Sequence, residues 1–197
     1  DNQPKCLAID VCPQNDPHRL KPFLNFNGNW QAKDSNINLD VDAELISFDS
    51  LQNESGKRIR NRATLSKLFD FSGIKVKPSI GIDYAKFKPD SIGLNPSDFK
   101  GNAKRTLPIY SLDITANLIR ISNDGDTRHS LQPRVMAVHI PYKDQSDFPL
   151  IDTLVPDFNY FQLFNENRFV GNDRIGDTSK ISYGLVAKKT HVQSGKD

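Results

Sequence analysis

Long apolar runs are missing. No stretch of the 197 residues approaches the roughly 18 to 20 consecutive apolar residues of a membrane helix, which excludes a helical membrane protein. The exclusion does not extend to a β-barrel, whose strands alternate and whose average hydropathy resembles that of a soluble protein. The opening "DNQPKCLAID" also does not read as a charged-then-apolar signal peptide. An excess of charge of one sign is absent too: 26 basic residues stand against 24 acidic ones, and no run of Lys or Arg is dense enough for a nucleic-acid stripe. No nucleic-acid partner is expected. Cysteine is scarce. Cys6 and Cys12 sit among Pro4, Pro13 and Pro17, a setting that fits a local disulfide better than two free thiols and a metal site least of all.

Catalytic signatures are equally lacking. There is no Gly-x-Ser-x-Gly elbow, no His-Glu-x-x-His helix and no phosphate-binding Gly-rich loop, and His18, His129, His139 and His191 are scattered. The run "NDGD" at 123–126 lacks the later acidic ligand of a calcium loop and reads as a hairpin turn. No catalytic residue, metal or cofactor is expected, and the chain is not read as an enzyme.

What the sequence has in abundance is alternation. In "LNFNGNWQA", Leu24, Phe26, Trp30 and Ala32 alternate with Asn25, Asn27, Asn29 and Gln31. "INLDVDAEL" sets Ile37, Leu39, Val41, Ala43 and Leu45 against Asn38, Asp40, Asp42 and Glu44. "RIRNRATLS" sets Arg58, Arg60, Arg62 and Thr64 against Ile59, Ala63 and Leu65; "IKVKPSIGIDY" sets Lys75, Lys77 and Asp83 against Ile74, Val76, Ile80, Ile82 and Tyr84. "YSLDITANL" follows the same rule, a less regular strand lies near 130–140, and "ISYGLVA" supplies a seventh. A period of two marks strands with one apolar and one polar face.

The links between these strands carry a sharper signal. "KDS", "FDFS" and "SNDGD" are short, whereas "DSLQNESGK", "PDSIGLNPSDFKGNAK" and residues 141–177 are long, and the two kinds alternate strictly. A soluble β-sandwich would show the same strand alternation but has no reason to alternate its links. An outer-membrane barrel has short periplasmic turns and long extracellular loops. The sequence therefore predicts an all-β antiparallel meander of about seven strands in a transmembrane β-barrel, which the family resemblance given below makes part of a large one, with a soluble sandwich binding module or a small barrel enzyme as alternatives. Residues 1–21 are a segment of uncertain role, 22–189 hold the strands and loops, and 190–197 form a tail.

The polar faces identify the residues expected to line the lumen: Asp40, Asp42 and Glu44 on one strand, Arg58, Arg60 and Arg62 on the next, and Lys75 and Lys77 beyond them. Opposite charges on adjacent strands stabilise by roughly 0.2 to 1 kcal/mol per pair. Trp30, Phe48, Tyr84, Phe87, Tyr110 and Tyr142 suit interfacial girdles or a core. Residues 141–177 form too long and too aromatic a link to be plain connection. Its charged groups Asp144, Asp157, Arg168, Asp173 and Arg174 need partners and its aromatics, Phe158 among them, need an apolar surface, so a lid folded back over the barrel mouth is expected, with "NDRIGD" closing a polar network.

The segments "FNGNW", "LDVDAELISFDS", "RTLPIYSLD", "LQPRVMAVHIPYKDQSDFPLIDTLVPDFNYFQLFNENRFVGNDRIGD" and "ISYGLVAK" resemble, in order, the barrel region of the LptD family of LPS-assembly proteins. The likeness runs from about Leu24 to Lys189 and is most specific over 141–177. It implies an internal part of a very large outer-membrane barrel that passes lipopolysaccharide to the outer leaflet. The implied partners are lipopolysaccharide, the lipoprotein plug LptE, periplasmic lipopolysaccharide bridge proteins and the outer-membrane bilayer. The family's disulfides between its periplasmic domain and its barrel do not carry over to Cys6 and Cys12.

Overall fold

The structure, a computed structural model, describes residues 19–49, 55–90, 102–123 and 125–191; Cys6, Cys12 and His18 lie outside them. Nine strands and one helical turn follow in order: β1 Arg19–Gln31, β2 Ile37–Asp49, β3 Gly56–Lys67, β4 Phe69–Phe71, β5 Ile74–Pro89, β6 Ala103–Ala116, β7 Leu118–Ile121, β8 Thr127–Ile140, α1 Tyr160–Leu163 and β9 Thr178–His191. Neighbours pair antiparallel throughout. β3 and β4 keep one register against β5, as do β6 and β7 against β8, so each pair is a single long strand interrupted at Leu68 or Asn117. Seven long strands result. Among the described residues β1 pairs only with β2 and β9 only with β8, which leaves an open sheet. Two free edges present unpaired backbone groups, as expected of one section of a larger β structure.

The short links are tight for local reasons. Between β4 and β5 only Ser72 and Gly73 turn the chain, both at positive φ (53° and 99°), the two-residue geometry that matches strand twist. The segment "FDFS" is thus mostly strand, and the true link is shorter than the sequence suggested. Asp34 and Asn36, also at positive φ, close the β1–β2 hairpin, and the Ala32 amide donates to the Ile37 carbonyl at 2.9 Å. Asp and Asn tolerate the left-handed region better than other side-chain-bearing residues.

Every strand separates two faces. One is open and apolar: Leu24, Phe26, Trp30, Leu39, Leu45, Ile59, Ile82, Tyr84, Leu112, Val135, Ile181 and Leu185 are all exposed, Ile181 to 74%. No second sheet covers this face among the described residues, whose strands form one open sheet and not a sandwich. A soluble monomer rarely exposes an apolar patch larger than a few hundred Å². The opposite face has two zones. Toward the short turns it is polar, with Asn25, Asn27, Asn29, Lys75 and Lys77 exposed. Toward the long links it becomes apolar and buried, through Ile46 and Phe48, Ala85 and Phe87, Leu107 and Ile109, and Met136, Val138 and Ile140. Phe48 and Phe87 therefore belong to a core, whereas Trp30, Tyr84 and Tyr110 face outward and Tyr142 is exposed on the long link.

Residues 141–177 cover that second zone. Phe148 and Ile151 pack on Ile46, Phe48, Ala85, Phe87 and Ala103; Leu163, Phe164 and Ile175 pack on Leu107, Ile109, Met136, Val138 and Ile140. Fully burying a side chain of this kind stabilises by about 1.5 to 3 kcal/mol. The helical turn α1 was not legible in the sequence; Asn159 caps it, its side chain accepting from the amides of Phe161 and Gln162 at 2.9 and 3.1 Å.

Candidate functional site

Between the two apolar clusters the sheet and the long segment meet through charge. Arg58 is fully buried on β3 and reaches three carboxylates: its Nε donates to Glu44 at 2.9 Å, Nη2 to Asp152 at 2.6 Å and Nη1 to Asp173. Its guanidinium also lies 5.0 Å from the centre of the Phe48 ring. Arg105, equally buried on β6, donates to the backbone carbonyls of Asn172 (2.7 Å) and Asp173, to Gln145 Oε1 at 2.9 Å and to Asp83 at 3.3 Å. Arg60 joins Asp83 and Asp42, both at 2.8 Å. Arg62 pairs with Glu166, whose other oxygen accepts from the Ser111 hydroxyl at 2.7 Å.

The long segment is braced internally by a reciprocal pair of aspartates. Asp173 Oδ2 accepts the amides of Ile151 and Asp152, both at 2.7 Å, while Asp152 Oδ1 accepts those of Asn172 and Asp173 at 3.1 and 3.2 Å. Each carboxylate caps the other's backbone, and Arg58 ties both to the sheet. The crossing requires glycine at 171, where φ is +87° and an added Cβ would stand 2.1 Å from the Asp152 carbonyl oxygen. Gln145 adds a third tie, donating to the Ile175 carbonyl at 2.7 Å and accepting its amide at 3.1 Å.

The ion pairs of this network join four guanidiniums, those of Arg58, Arg60, Arg62 and Arg105, to six carboxylates: Asp42, Glu44, Asp83, Asp152, Glu166 and Asp173. The acidic excess decides how the aspartate pair titrates. Burial raises both carboxyls; at Asp152 the hydrogen bond and charge of Arg58 outweigh it and hold the group down at about 2. At Asp173 burial, reinforced by the neighbouring Asp152, prevails over Arg58 and pushes the carboxyl up to about 6. A docked segment with one titrating carboxyl follows.

The residues expected from sequence divide in the structure. Asp42, Glu44, Arg58, Arg60, Arg62 and Asp173 come together in the network. Register places Asp42 opposite Arg62 and Glu44 opposite Arg60, yet the ion pairs run one step diagonally, Arg60 to Asp42 and Arg58 to Glu44. Asp40 lies outside it and accepts from Asn29 at 2.5 Å and Asn38 at 2.8 Å. Lys75 and Lys77 share the network's face but stand exposed near the turns. On the long segment Asp144 caps the Ser146 amide at 3.0 Å, and Arg168 and Arg174 both lie over the Phe169 ring, at 4.8 and 5.4 Å. Asp157 and Phe158 are exposed, so Phe164 and Phe148 supply the apolar contact expected of Phe158. Sequence reasoning missed Asp83, Arg105, Gln145, Asp152 and Glu166 as members of the site, and had Asn172 only as part of "NDRIGD". The parity of Arg105 with Leu107 and Ile109, the apolar residues beside it, hid it.

No cluster among the described residues has the donor set for a metal ion. What the site can do is hold a 37-residue segment against one face of the sheet in one register.

A protein-family model described as "LPS transport system D" matches residues 7–196. The chain belongs to the LptD family. An LptD of Chromobacterium violaceum, named "LPS-assembly protein LptD", is 32% identical over 192 residues, covering 96% of this chain and 24% of that protein. Namesakes from Aromatoleum aromaticum and Pseudomonas syringae pv. tomato are each 30% identical, over 92% and 85% of this chain but only 23% and 18% of their own length. The chain thus spans about a quarter or less of the LptD proteins it matches.

Proposed function

We propose that this chain forms a section of an outer-membrane barrel that assembles lipopolysaccharide into the outer leaflet. One observation carries the reading: all seven long strands keep an exposed apolar face on one side, while the other side buries a charge network under residues 141–177. A sheet with lipid on one face and a hydrated, partly plugged lumen on the other needs that division. The docked segment then closes the barrel interior at its long-loop, extracellular end, as a lid whose polar closure is Asp152, Asn172 and Asp173 with Arg58 and Arg105. The uncovered polar strip with Asn25, Asn27, Asn29, Lys75 and Lys77 offers lumenal surface to the lipoprotein plug LptE. Lipopolysaccharide and the periplasmic bridge proteins are the remaining partners that the LptD relationship implies, and no catalytic role is proposed.

The test uses the full-length protein in cells. Deleting 158–169 removes Phe164 and Glu166, both docked on the sheet, and should leave the barrel inserted but the envelope leaky to large antibiotics. Normal permeability after the deletion would refute the lid. Normal arrival of lipopolysaccharide at the cell surface after depletion of the whole protein would refute the assembly function.

A further inference from the structure

The open face changes character just beyond Ile59 and Tyr84. The next outward positions toward the long links are Lys57 on β3, Lys86 and Lys88 on β5, and Lys104 on β6, all exposed. Register sets Lys57 directly opposite Lys88 and Lys86 directly opposite Lys104. Like charges directly opposite on neighbouring strands repel. Among the described residues no ion pair offsets this: none of the four lysines is ion-paired to a described residue, and strand residues 56–60, 84–89 and 103–107 hold no acidic residue. The contrast with the other face is sharp, because there the arginines of these same strands meet carboxylates.

We propose that Lys57, Lys86, Lys88 and Lys104 form a binding site for the phosphate groups of an anionic lipid on the long-loop side of the membrane. Position supports the lipid as occupant. The lysines stand above a mainly apolar surface, with Ile59, Ile82 and Tyr84 below them on the same strands and Asn61 and Thr106 the polar residues flanking Tyr84, so a bound molecule must be anionic at the level of the lysines and largely apolar beneath them. Directly opposed side chains stand about 4.5 to 5.5 Å apart at Cβ, close enough for two ammonium groups to share one phosphate. A second lysine pair one step along the sheet suits a second phosphate, so a bisphosphorylated glycolipid fits better than a lipid with one anionic group. The strand order does the selecting: register sets the lysines of each pair opposite one another, and a shared anion relieves their repulsion.

The inference rests on the membrane orientation proposed above. Its test is retention of bisphosphorylated glycolipid by the full-length protein in nanodiscs, read by native mass spectrometry, with the dephosphorylated glycolipid and inorganic phosphate as separate arms. Replacing all four lysines (K57Q, K86Q, K88Q and K104Q) should lower retention of the phosphorylated lipid at least tenfold, with retention of the dephosphorylated one unchanged. The K86R/K104R variant, which keeps the charge, should retain it. If the fourfold variant assembles poorly, K86Q/K104Q alone should show a several-fold loss. Equal retention by the variants and the unaltered protein would overturn the site, and equal competition by millimolar inorganic phosphate would overturn the lipid assignment. Surface arrival of lipopolysaccharide in depleted cells, measured separately, tests the assembly function whatever the lysines do.

Discussion

Replacing Arg58 with Met keeps the stem of the side chain and removes the one group that joins Glu44, Asp152 and Asp173. Three carboxylates then face one another without their shared cation, in a place where Arg58 and Asp173 have no solvent contact. Breaking a buried pair by deleting one partner costs about 3 to 5 kcal/mol. Asp152 keeps 31% of its side chain exposed, so water recovers part of its share and the lower end of that range applies. At about 1.4 kcal/mol per tenfold, 3 kcal/mol raises the open fraction of the segment at least a hundredfold. The amides of Ile151, Asp152, Asn172 and Asp173 report it directly, since their acceptors are the two aspartates. Amide hydrogen exchange on the full-length barrel should show these four accelerating together while the β5–β6 ladder stays protected. Adding Asp173→Asn should restore part of the protection, because it removes one of the uncompensated charges and so couples to the first change. Unchanged exchange at the four amides in Arg58→Met would refute the view that Arg58 holds the segment down.

The titration of Asp173 makes docking depend on pH. Its carboxyl is raised to about 6 when docked, so its contribution is full below the ordinary Asp value near 3.8 and is lost as pH rises through 6. Asp152, held at about 2, contributes above 3.8 and loses that contribution as pH falls toward 2. Protection of the segment should therefore increase from pH 7.5 to about pH 4.5 and fall below pH 3.5, and Asp173→Asn should abolish the first change; a flat profile in the unaltered protein contradicts the assignment. Gly171→Ala should undock the same four amides, because the new methyl meets a backbone carbonyl at 2.1 Å, whereas Gly73→Ala, also at positive φ but with its nearest neighbour at 3.9 Å, should cost only about 1 kcal/mol and leave the segment in place. On the open face Val41→Arg should cost roughly 2 to 4 kcal/mol of barrel stability in lipid, while Asp42→Asn, on a carboxylate with 34% of its side chain exposed, should be mild in denaturant titration. The reverse order would exchange the two faces.

The strands and their faces were legible because a period of two is a property of each strand alone. Asp42, Glu44, Arg58, Arg60 and Arg62 could be assigned to one face without knowing what covers it. The length of β3 was misjudged for a local reason: "FDFS" looks like a link until Ser72 and Gly73 are seen to turn the chain by themselves. The second zone of the covered face was not legible. Ile46 and Phe48 continue the parity of Asp42 and Glu44, so their change to apolar character breaks the pattern that identified the face, and only the docked Phe148 explains it. Asp152 and Glu166 were illegible for a deeper reason. Their partners, Arg58 and Arg62, lie 94 and 104 residues away, and no periodicity within the long segment encodes that distance.

Charge is a poor choice for holding the segment down if stability alone mattered. A buried ion pair rarely outperforms well-packed apolar residues of the same volume, because desolvation cancels much of the attraction. Two apolar clusters already flank the network, and extending them across Arg58 and Arg105 would grip the segment at least as firmly. The network supplies register instead. Apolar contacts tolerate sliding, whereas Asp152 and Asp173 each accept two backbone amides and a guanidinium, so a shift of one residue would leave buried donors and acceptors unmade on both sides. Docking is consequently close to all-or-none, and its strength depends on the protonation of Asp173. If the segment closes the barrel end as proposed, it needs that combination: one bound position, and a hold that electrostatics can weaken.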